Sequence, residues 1–540
     1  MSNQLTVDEL PSSSWLGSFE LERDMTLAVA DGPLKDADIS FFEAARSTPD
    51  RVALSDSTRS TTWIELDRRA NRIARKLIEH GVKPNDKVAI LSANSVTYVE
   101  VMFGILRAGA CIVPLPTHTS SATWSGMVKD SGARMLFASE TYVSELKSRA
   151  DFGLADSHIV QLDEATLNEF VSEAQETPPD VASSLDHGFN LIYSSGTTGV
   201  PKGILQSRSY RASEAAVMAR GYGLGAETRT LVSTPLCSNT TLFVLFAVMF
   251  SGGSARLMEK FDAGKWLALA EQWRPTDVIL VPVQYTRLLA HADFDRFDLS
   301  SFRNKFCTSA PLSAATKEEI LSRWPAGGLT EFYGMTEGGV SCYLNAHEHP
   351  DKLDTVGLPF PDCDLRVIDN DGRILKQGDV GEIIGRSPRL MNGYYNLDDA
   401  TREASWFDES GTRFQRSGDI GWVDDAGFVH LLDRKKDVII SGGFNVYAVD
   451  LENTLIQHPD VREVAVIAAP SQSWGETPVA FAVLRDNASA DTVCQWANLR
   501  LGKVQRLARV VGIEELPRSD IGKVLKRSLR EKLLPLGTLP

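Results

Sequence analysis

The eleven residues from Tyr193 to Gly203 combine side chains and glycines that suit the binding of phosphate. They read Tyr-Ser-Ser-Gly-Thr-Thr-Gly-Val-Pro-Lys-Gly. The glycines leave the backbone free to take positive φ and to approach a ligand closely, while four hydroxyls and successive N–H groups can point into one concavity. Lys202 adds a mobile positive charge that can follow a polyphosphate through a reaction. The mostly apolar run 189–193 before this loop predicts a buried strand.

Two other interpretations of this loop have to be weighed. A Walker A motif, G-x-x-x-x-G-K-S/T, is excluded because Pro201 stands where the second glycine is required. Segments rich in Gly, Ser and Thr also form ordinary loops. The whole string, however, resembles the signature loop of the adenylate-forming superfamily, which contains acyl- and aryl-CoA synthetases, peptide-synthetase adenylation domains and beetle luciferases. This resemblance implies an ATP-binding loop made of Ser194, Ser195, Gly196, Thr197, Thr198, Gly199 and Lys202.

A second element, residues 331–337, resembles the Y-G-x-T-E element of the same family. By that resemblance Tyr333 and Gly334 bind the nucleotide, with the tyrosine ring stacked on adenine. The Thr336 hydroxyl would meet the α-phosphate, and Glu337 would bind Mg²⁺. Magnesium is commonly held by one or two carboxylates together with substrate phosphates, which fits this assignment.

The segment Thr308-Ser309-Ala310-Pro311-Leu312 resembles the family's G-G-A-P-L segment. The resemblance implies that Thr308 and Ser309 line the acyl pocket and that Ala310 lies near the other face of adenine. Since Thr308 and Ser309 replace two glycines, we expect a narrower or more polar pocket.

A third cluster includes Asp419, Asp433 and Arg434. Its match to the family implies that Asp419 accepts both ribose hydroxyls, a bidentate geometry that an ionised carboxylate can satisfy. Arg434 would contact ribose or phosphate, and Asp433 would be the hinge whose backbone dihedrals absorb a rotation of the small domain. Lys435 is more simply interpreted as part of a solvated basic turn.

Two further motifs lie near the C-terminus. Gly442 and Gly443 resemble the strip along which the pantetheine arm of CoA enters, where a Cβ would occupy space. Lys523, after Pro517-Arg518, matches the family's C-terminal catalytic lysine, which would stabilise charge developing between the attacking carboxylate and the α-phosphate. The chain departs from its relatives at 448–450, where Ala-Val-Asp replaces the usual Pro-x-Glu.

The acyl pocket departs from the family more strongly. Relatives often carry P-L-F-H-x-x-G at its entrance, whereas residues 235–241 read Pro-Leu-Cys-Ser-Asn-Thr-Thr and lack both the aromatic residue and the histidine. Ser238 and Asn239, together with Thr308 and Ser309, indicate an aryl or oxygen-bearing acid more than a plain long chain.

The length of the chain and the pattern of its helical and strand-like segments limit the folds that it can adopt. A chain of 540 residues exceeds the size of one growing hydrophobic core, so at least two domains are expected. Helical and strand-like segments alternate from residue 62 to 311, and short alternating strands follow between about 356 and 429. We expect an α/β fold: an N-terminal domain (1–432) of two α/β subdomains and a small β subdomain, then a small mobile α+β domain (433–540).

Charge and cysteine usage narrow the partners and the compartment. The net charge of −15 argues against a general nucleic-acid binder, so an anionic ligand must meet local positive potential. Six cysteines without a C-x-x-C pair indicate a reducing, cytoplasmic setting. The N-terminus does not resemble a signal peptide, and the apolar run 242–250 is too short to span a bilayer and predicts a buried helix. The sequence leaves open whether the protein forms a homodimer.

These patterns together predict an ATP-dependent carboxylate–CoA ligase that uses ATP, Mg²⁺ and coenzyme A and acts through an acyl-adenylate. Thr336, Lys202 and Lys523 are its expected catalytic residues, and the acid is expected to be aromatic or medium-chain. Two alternatives remain: an adenylation-only enzyme that delivers the acyl group to a carrier protein, for which no carrier segment is seen before residue 540, and a non-catalytic nucleotide-binding homologue. Luciferase-like oxygenation is disfavoured.

Overall fold

The computed structural model of the protein describes residues 43–147, 152–194, 201–486, 488–519 and 522–533. In these ranges no helix is both long and apolar enough to cross a membrane. All six cysteines are free thiols. The helices, in chain order, are α1 (Trp63–Glu79), α2 (Val96–Arg107), α3 (Ser121–Ser131), α4 (Glu140–Lys147), α5 (Glu164–Phe170), α6 (Arg208–Gly221), α7 (Asn239–Phe250), α8 (Ala263–Trp273), α9 (Pro282–Leu289), α10 (Ala314–Arg323), α11 (Asp398–Glu403), α12 (Ala448–Leu455), α13 (Ala490–Asn498) and α14 (Lys526–Leu533).

The first two sheets carry the large α/β part of the chain. Their strands are β1 (Val52–Ser55), β2 (Ser60–Thr62), β3 (Lys87–Leu91), β4 (Cys111–Pro114), β5 (Met135–Ala138), β6 (Ile159–Gln161), β7 (Gly188–Ser194), β8 (Lys202–Ser207), β9 (Arg229–Val232), β10 (Ser254–Leu257), β11 (Asp277–Leu280), β12 (Asn304–Cys307), β13 (Gly328–Gly334), β14 (Ser341–Asn345) and β15 (Leu358–Pro359). One sheet has the order β6-β5-β3-β4-β7-β8, and the other β15-β14-β13-β12-β11-β9-β10-β1-β2. Most pairs are parallel, as the alternation of helices and strands predicts.

The remaining strands form two smaller sheets. They are β16 (Asp364–Ile368), β17 (Gly381–Arg386), β18 (Ser405–Phe407), β19 (Arg413–Val423), β20 (Val429–Arg434), β21 (Ile439–Ser441), β22 (Phe444–Val446), β23 (Val461–Ser471), β24 (Gly475–Leu484) and β25 (Arg509–Gly512). The third sheet, β16 to β20, is antiparallel. The fourth, β21 to β25, packs with α12 and α14 as a small α+β unit.

The predicted fold class is therefore confirmed: a large α/β part with a small β-sheet subdomain is followed by a small α+β unit. The helix predicted after Thr62 is α1, and Thr62 and Glu65 cap each other's backbone N–H groups at its start. The apolar run 242–250 lies in the largely buried helix α7. The domain boundary predicted at 432/433 falls within β20 and stays a prediction.

Helices α1 and α2 pack closely against each other, and this packing supports both sheets of the large α/β part. Every residue of α2 is buried, and Gly104 lies directly against Ile73 of α1. A Cβ built on Gly104 would lie 2.4 Å from Ile73 Cγ2, so the two helices approach this closely only because residue 104 has no side chain. Ile73 is β-branched and buried, which leaves it little room to move.

We expect Gly104→Ala to lower the free energy of unfolding by about 1–3 kcal/mol, because overpacking a dense core forces neighbouring side chains to shift. The matched control is Gly126→Ala in α3, where a Cβ would meet nothing within 4 Å. That change should stabilise the chain by about 0.5–1 kcal/mol, as alanine favours a helix over glycine. Urea unfolding followed by tryptophan fluorescence measures both, and equal midpoints for the two variants would contradict this packing argument.

Candidate functional site

One cavity of about 920 Å³ gathers predicted residues from distant parts of the sequence. It lies where β7 and β13 end and β8 begins, and where the third sheet and the C-terminal unit meet the large α/β part. Among the predicted site residues, those that line it are Ser194, Lys202, Ser238, Asn239, Thr308, Ser309, Tyr333, Gly334, Thr336, Glu337, Arg434 and Lys523. Ser194 and Lys202 pair across the antiparallel strands β7 and β8.

The remaining predicted residues are either outside the described residues or absent from the described lining. Residues 195–200 are outside the described residues, so the predictions for Ser195, Gly196, Thr197, Thr198 and Gly199 stay predictions. The described cavity lining does not include Ala310, Asp419, Asp433, Gly442 or Gly443.

Asp419 nevertheless belongs to the cavity wall through its hydrogen bonds. The Tyr333 hydroxyl donates to Asp419 Oδ2 at 2.6 Å, and Arg434 Nε lies 2.6 Å from Oδ1. Burial raises the pKa of Tyr333 well above its ordinary value, and the adjacent Asp419 carboxylate raises it further. Both carboxylate oxygens therefore face donors that belong to cavity-lining residues.

A second cluster joins Lys202 to Glu337 through a residue that the sequence analysis missed. The Tyr394 hydroxyl donates to Glu337 Oε1 at 2.8 Å, and Lys202 Nζ lies 4.8 Å from the centre of the Tyr394 ring. Burial raises the pKa of Tyr394, as does the Glu337 carboxylate, so the phenol stays protonated as a donor. No spacing in the sequence identified Tyr394, because its position depends on a strand bridge between residues 204 and 394.

The fit of Mg²⁺ can be judged from the donors present. In the described part of the chain, no group of three or more His, Cys, Asp or Glu side chains could hold a metal by itself. Glu337 presents one carboxylate to the cavity beside basic residues. A single carboxylate plus phosphate oxygens from a nucleotide is a donor set that suits Mg²⁺.

Lys523 enters this cavity on a tight turn of the C-terminal unit. Ser519 N–H donates to the Lys523 carbonyl at 2.8 Å, and Arg518 donates to the Gly522 carbonyl at 2.7 Å. Gly522 has φ of 75°, and a Cβ there would lie 2.6 Å from Val283 Cγ1 in α9. The turn thus rests directly against the large α/β part, and glycine allows both the backbone angle and the approach.

The electrostatics of the cavity contrast with the acidic chain. In the described lining, seven lysines and arginines outnumber four glutamates: Lys202, Arg389, Arg416, Arg434, Lys435, Lys436 and Lys523 against Glu214, Glu337, Glu382 and Glu403. Lys523 is exposed within the cavity, yet the surrounding protein desolvates it and lowers its pKa, as does the nearby Arg434. The sequence analysis interpreted Lys435 as part of a solvated basic turn, whereas the structure places it in the cavity lining, paired with the buried Glu382 at 3.0 Å. The expected local positive potential is present.

On the acyl side of the cavity, the structure shows how Thr308 and Ser309 can stand where relatives have two glycines. Ser309 has φ of 81°, the left-handed region that glycine favours, and its hydroxyl shares a hydrogen bond with the Thr240 hydroxyl. Thr308 Oγ1 donates to the Phe332 carbonyl at 2.9 Å. The pocket is more polar here, as expected, and the chain keeps the glycine-like backbone at the cost of strain.

A buried ion pair holds the same segment from behind. Lys317 Nζ lies 2.5 Å from Glu331 Oε2, and both side chains are at most 3% exposed. Glu331 Oε1 accepts from Leu312 N–H at 2.8 Å. Residue 331 therefore positions the segment 308–312 rather than a ligand.

The helix α6 supplies a wall of the acyl side that the sequence analysis did not include. Tyr210, Glu214, Val217 and Met218 line the cavity from α6, opposite Phe243 of α7. Their spacing of four, three and one residues marks one face of a helix and was the available signal.

The predicted hinge residue lies in β20, and the two predicted CoA residues are exposed at the turn between β21 and β22. Asp433 Oδ2 accepts from Ala448 N–H at 2.8 Å, which ties the end of β20 to the start of α12. Gly442 donates its N–H to the Trp474 carbonyl at 2.8 Å, and a Cβ there would lie 2.6 Å from the Trp474 ring. Gly443 has φ of 85° and is exposed.

Comparison with known proteins identifies the family. Residues 41–395 match the model of the AMP-binding enzyme family, and residues 450–523 match that of the AMP-binding enzyme C-terminal domain. The chain belongs to the AMP-binding enzyme family. The predicted membership of the adenylate-forming superfamily is thereby confirmed.

Relatives in this family cover nearly the whole chain. A feruloyl-CoA synthase from Amycolatopsis sp is 33% identical over 496 residues, which are 90% of this chain and 97% of the relative. A 2-succinylbenzoate–CoA ligase from Geobacillus kaustophilus is 31% identical over 502 residues, with 90% and 96% covered. ATP-bound MatB from Rhodopseudomonas palustris has a TM-score of 0.84 at 28% identity, covering 93% of this chain and 100% of MatB. These curated relatives are CoA ligases, and the similarity includes both domains.

The strain at Ser309 can be measured separately from its hydrogen bond. Ser309→Ala removes the bond to Thr240 and keeps a Cβ at φ 81°, whereas Ser309→Gly removes both. We expect the glycine variant to be more stable than the alanine variant by about 1 kcal/mol, the cost of a left-handed residue with a side chain. Denaturant unfolding of the two variants tests this, and an alanine variant at least as stable as the glycine variant would show that the backbone here is unstrained.

Proposed function

We propose that the protein is an ATP-dependent carboxylic acid–CoA ligase that converts an acid, ATP and CoA to acyl-CoA, AMP and pyrophosphate through an acyl-adenylate. The observation that carries the proposal is that Lys523 of the C-terminal unit lies in one cavity with Thr336, Glu337 and Lys202 of the large unit. A carboxylate is a poor electrophile because its oxygen leaves poorly, and adenylation overcomes this.

In the adenylation step the acid's carboxylate oxygen attacks the α-phosphorus of ATP, and pyrophosphate leaves. Lys523 and the Thr336 hydroxyl stabilise charge at the α-phosphate, where it develops in the transition state. Lys202, with the Ser194–Gly199 loop, holds the departing pyrophosphate. Mg²⁺ held by Glu337 would neutralise phosphate charge when bound, and Tyr394 orients the Glu337 carboxylate through its 2.8 Å hydrogen bond.

Nucleotide binding would exchange partners at Asp419. Its two oxygens, which accept from Tyr333 and lie against Arg434, would take the two ribose hydroxyls instead. Arg434 is then released towards ribose or phosphate, and the Tyr333 ring forms one face of the adenine site, with Gly334 and Ala310 close by.

In the second step CoA thiolate attacks the adenylate carbonyl and AMP leaves. Gly442 and Gly443 lie outside the cavity while Lys523 lies inside it, so one arrangement of the C-terminal unit does not serve both motifs. We propose that this unit rotates about Asp433, withdraws Lys523 and presents the Gly442 side to the cavity. Asp433 Oδ2 accepts a hydrogen bond from Ala448 N–H. If the rotation takes place about the Asp433 backbone itself, this hydrogen bond does not have to break.

The acid is proposed to be aromatic or medium-chain. The relatives include enzymes named for ferulate, 2-succinylbenzoate, indoleacetate and long-chain fatty acids, which together favour carboxylates with a large apolar body. Phe243, Phe332 and Phe360 line the cavity and suit a ring. A panel of benzoates, phenylacetates, cinnamates and fatty acids, with loss of free CoA thiol as the readout, tests the ligase. Pyrophosphate exchange without CoA consumption would instead favour an adenylation-only enzyme.

Lys523→Ala separates the two half-reactions. We expect at least about a hundredfold loss of acyl-adenylate formation, because one preorganised charge is missing in the transition state. Thioester formation from synthetic acyl-adenylate and CoA should stay within about threefold of the unchanged chain, since Lys523 is withdrawn in that step. Lys532→Ala, at an exposed residue of α14, is the matched control. Equal loss of both half-reactions would refute the rotation.

The lowered pKa of Lys523 predicts a shifted pH profile. The ammonium form is required, so kcat/KM for adenylation should fall on the alkaline side below pH 10.5, the ordinary lysine value. In Lys523→Arg the charge persists above about pH 12, so that alkaline limb should move upwards even if the rate is lower. Pyrophosphate release measured from about pH 7 to 10 compares the two. An identical alkaline limb in both proteins would assign it to another group.

A further inference from the structure

One buried polar group on the acyl side of the cavity is a glutamate on helix α6. Glu214 lines the cavity although it is only 5% exposed. Val217, Met218, Phe332 and Phe360 line the cavity around it and belong to one buried apolar cluster. A carboxylate in such surroundings is costly to bury unless its oxygens accept hydrogen bonds.

The partner of Glu214 inside the protein is Arg211, one turn earlier on α6. Arg211 is fully buried, and its Nη1 donates to Glu214 Oε2. Arg211 is the one hydrogen-bond donor to Glu214 in the described residues. An ionised carboxylate has about four acceptor positions, so Glu214 keeps capacity for a donor that arrives from the cavity.

Arg211 itself is not available to a ligand. Its Nη2 lies 2.9 Å from Asn190 Oδ1 and 2.9 Å from Asn239 Oδ1, and it also donates to Gln206 Oε1. Arg211 does not line the cavity in the described residues. The guanidinium therefore fixes Glu214 and Asn239 in place and leaves no free positive group here for a second carboxylate on the substrate.

The charge balance decides which donor Glu214 accepts. The Arg211–Glu214 pair is neutral as a unit. Burial raises the pKa of Glu214, whereas Arg211 and Arg389, which is paired with Asp362, favour its charged form. A buried ammonium group would add an uncompensated positive charge beside Arg211, whereas a hydroxyl adds a donor without charge. The aromatic side chains around the glutamate favour a flat ring carrying that hydroxyl.

We propose that Glu214 determines specificity by accepting a hydrogen bond from a hydroxyl on the substrate's ring, remote from the reacting carboxylate, so that the enzyme acts on phenolic acids. This inference rests on the proposed ligase function and narrows its substrate class. It also implies that acids with a second, distal carboxylate are rejected, because Glu214 repels them and Arg211 is already bonded.

The test compares acids that differ in one substituent, on the purified full chain. For benzoate, phenylacetate and cinnamate, kcat/KM of CoA-thioester formation is measured for the plain acid and for its 4-hydroxy, 4-methoxy and 4-carboxy derivatives. On at least one scaffold the hydroxy acid should exceed the plain and methoxy acids by at least about tenfold, because a site built to bond a hydroxyl discriminates against analogues without it. The 4-carboxy acid should be the poorest.

Glu214→Gln sharpens the test. The glutamine carbonyl can still accept from Arg211, which leaves its NH₂ facing the cavity as a donor. The hydroxy preference should fall below about threefold and the methoxy acid should gain relative to the plain acid. Glu318→Gln, the same change on the exposed face of α10, should keep the original preference.

The outcomes separate the two proposals. Turnover of plain and hydroxy acids at equal kcat/KM, or a hydroxy preference that Glu214→Gln leaves unchanged, would overturn the role of Glu214 and leave the ligase intact. No thioester or adenylate from any acid on the wider panel would overturn the ligase itself. Should Glu214→Gln fail to fold, Arg211→Met/Glu214→Met removes the buried pair together, which cores often tolerate, and must likewise abolish the preference.

Discussion

The Asp419 carboxylate holds together the parts of the molecule that make the cavity. It receives the Tyr333 hydroxyl from the end of β13 in the nine-stranded sheet and lies against Arg434 at the end of β20 in the antiparallel sheet. Lys523, from the C-terminal unit, is close enough that Asp419 favours its charged form. Without this carboxylate, Arg434, Lys436 and Lys523 would repel one another across a desolvated space. Asp419 and Asp437 thus both offset the positive charge around Lys523, in a chain of net charge −15.

Residue 309, a serine where relatives have glycine, illustrates how much of the site can be predicted from the sequence. The motif around residues 308–312 predicted residues of the acyl pocket, and Thr308 and Ser309, though not Ala310, are in the described lining of the cavity. Their role in binding the acid stays a prediction. The sequence did not reveal that Ser309 keeps the left-handed angle, since its hydrogen bond to Thr240 joins residues 69 apart. Motifs specify which residues meet, while backbone strain depends on tertiary contacts that compensate for it.

Local sequence patterns predicted the helices and strands well, but they did not predict the buried charged residues that lie between these elements. Thr62 and Glu65 were sufficient to start α1, because a capping box acts within four residues. The pair Lys317–Glu331 and the bonds of Arg211 to Asn190 and Asn239 were not predictable. A charged residue in an amphipathic stretch is ordinarily assigned to solvent. Only the packing of α6 between two sheets makes Arg211 and Glu214 internal.

The same packing separates the chemistry of the cavity from its selectivity. Under the proposed function, Lys202, Thr336, Glu337 and Lys523 act on phosphate, whose charge is the same for every acid, and all four line the cavity. Glu214 lies on a regular helix, where a change of one side chain alters the pocket without moving the backbone that carries the phosphate site. Asn239 also lines the cavity and accepts from Arg211, so one guanidinium holds two residues of the acyl side. A substitution at residue 214 would therefore change the proposed selectivity and leave the proposed phosphate-binding residues in place.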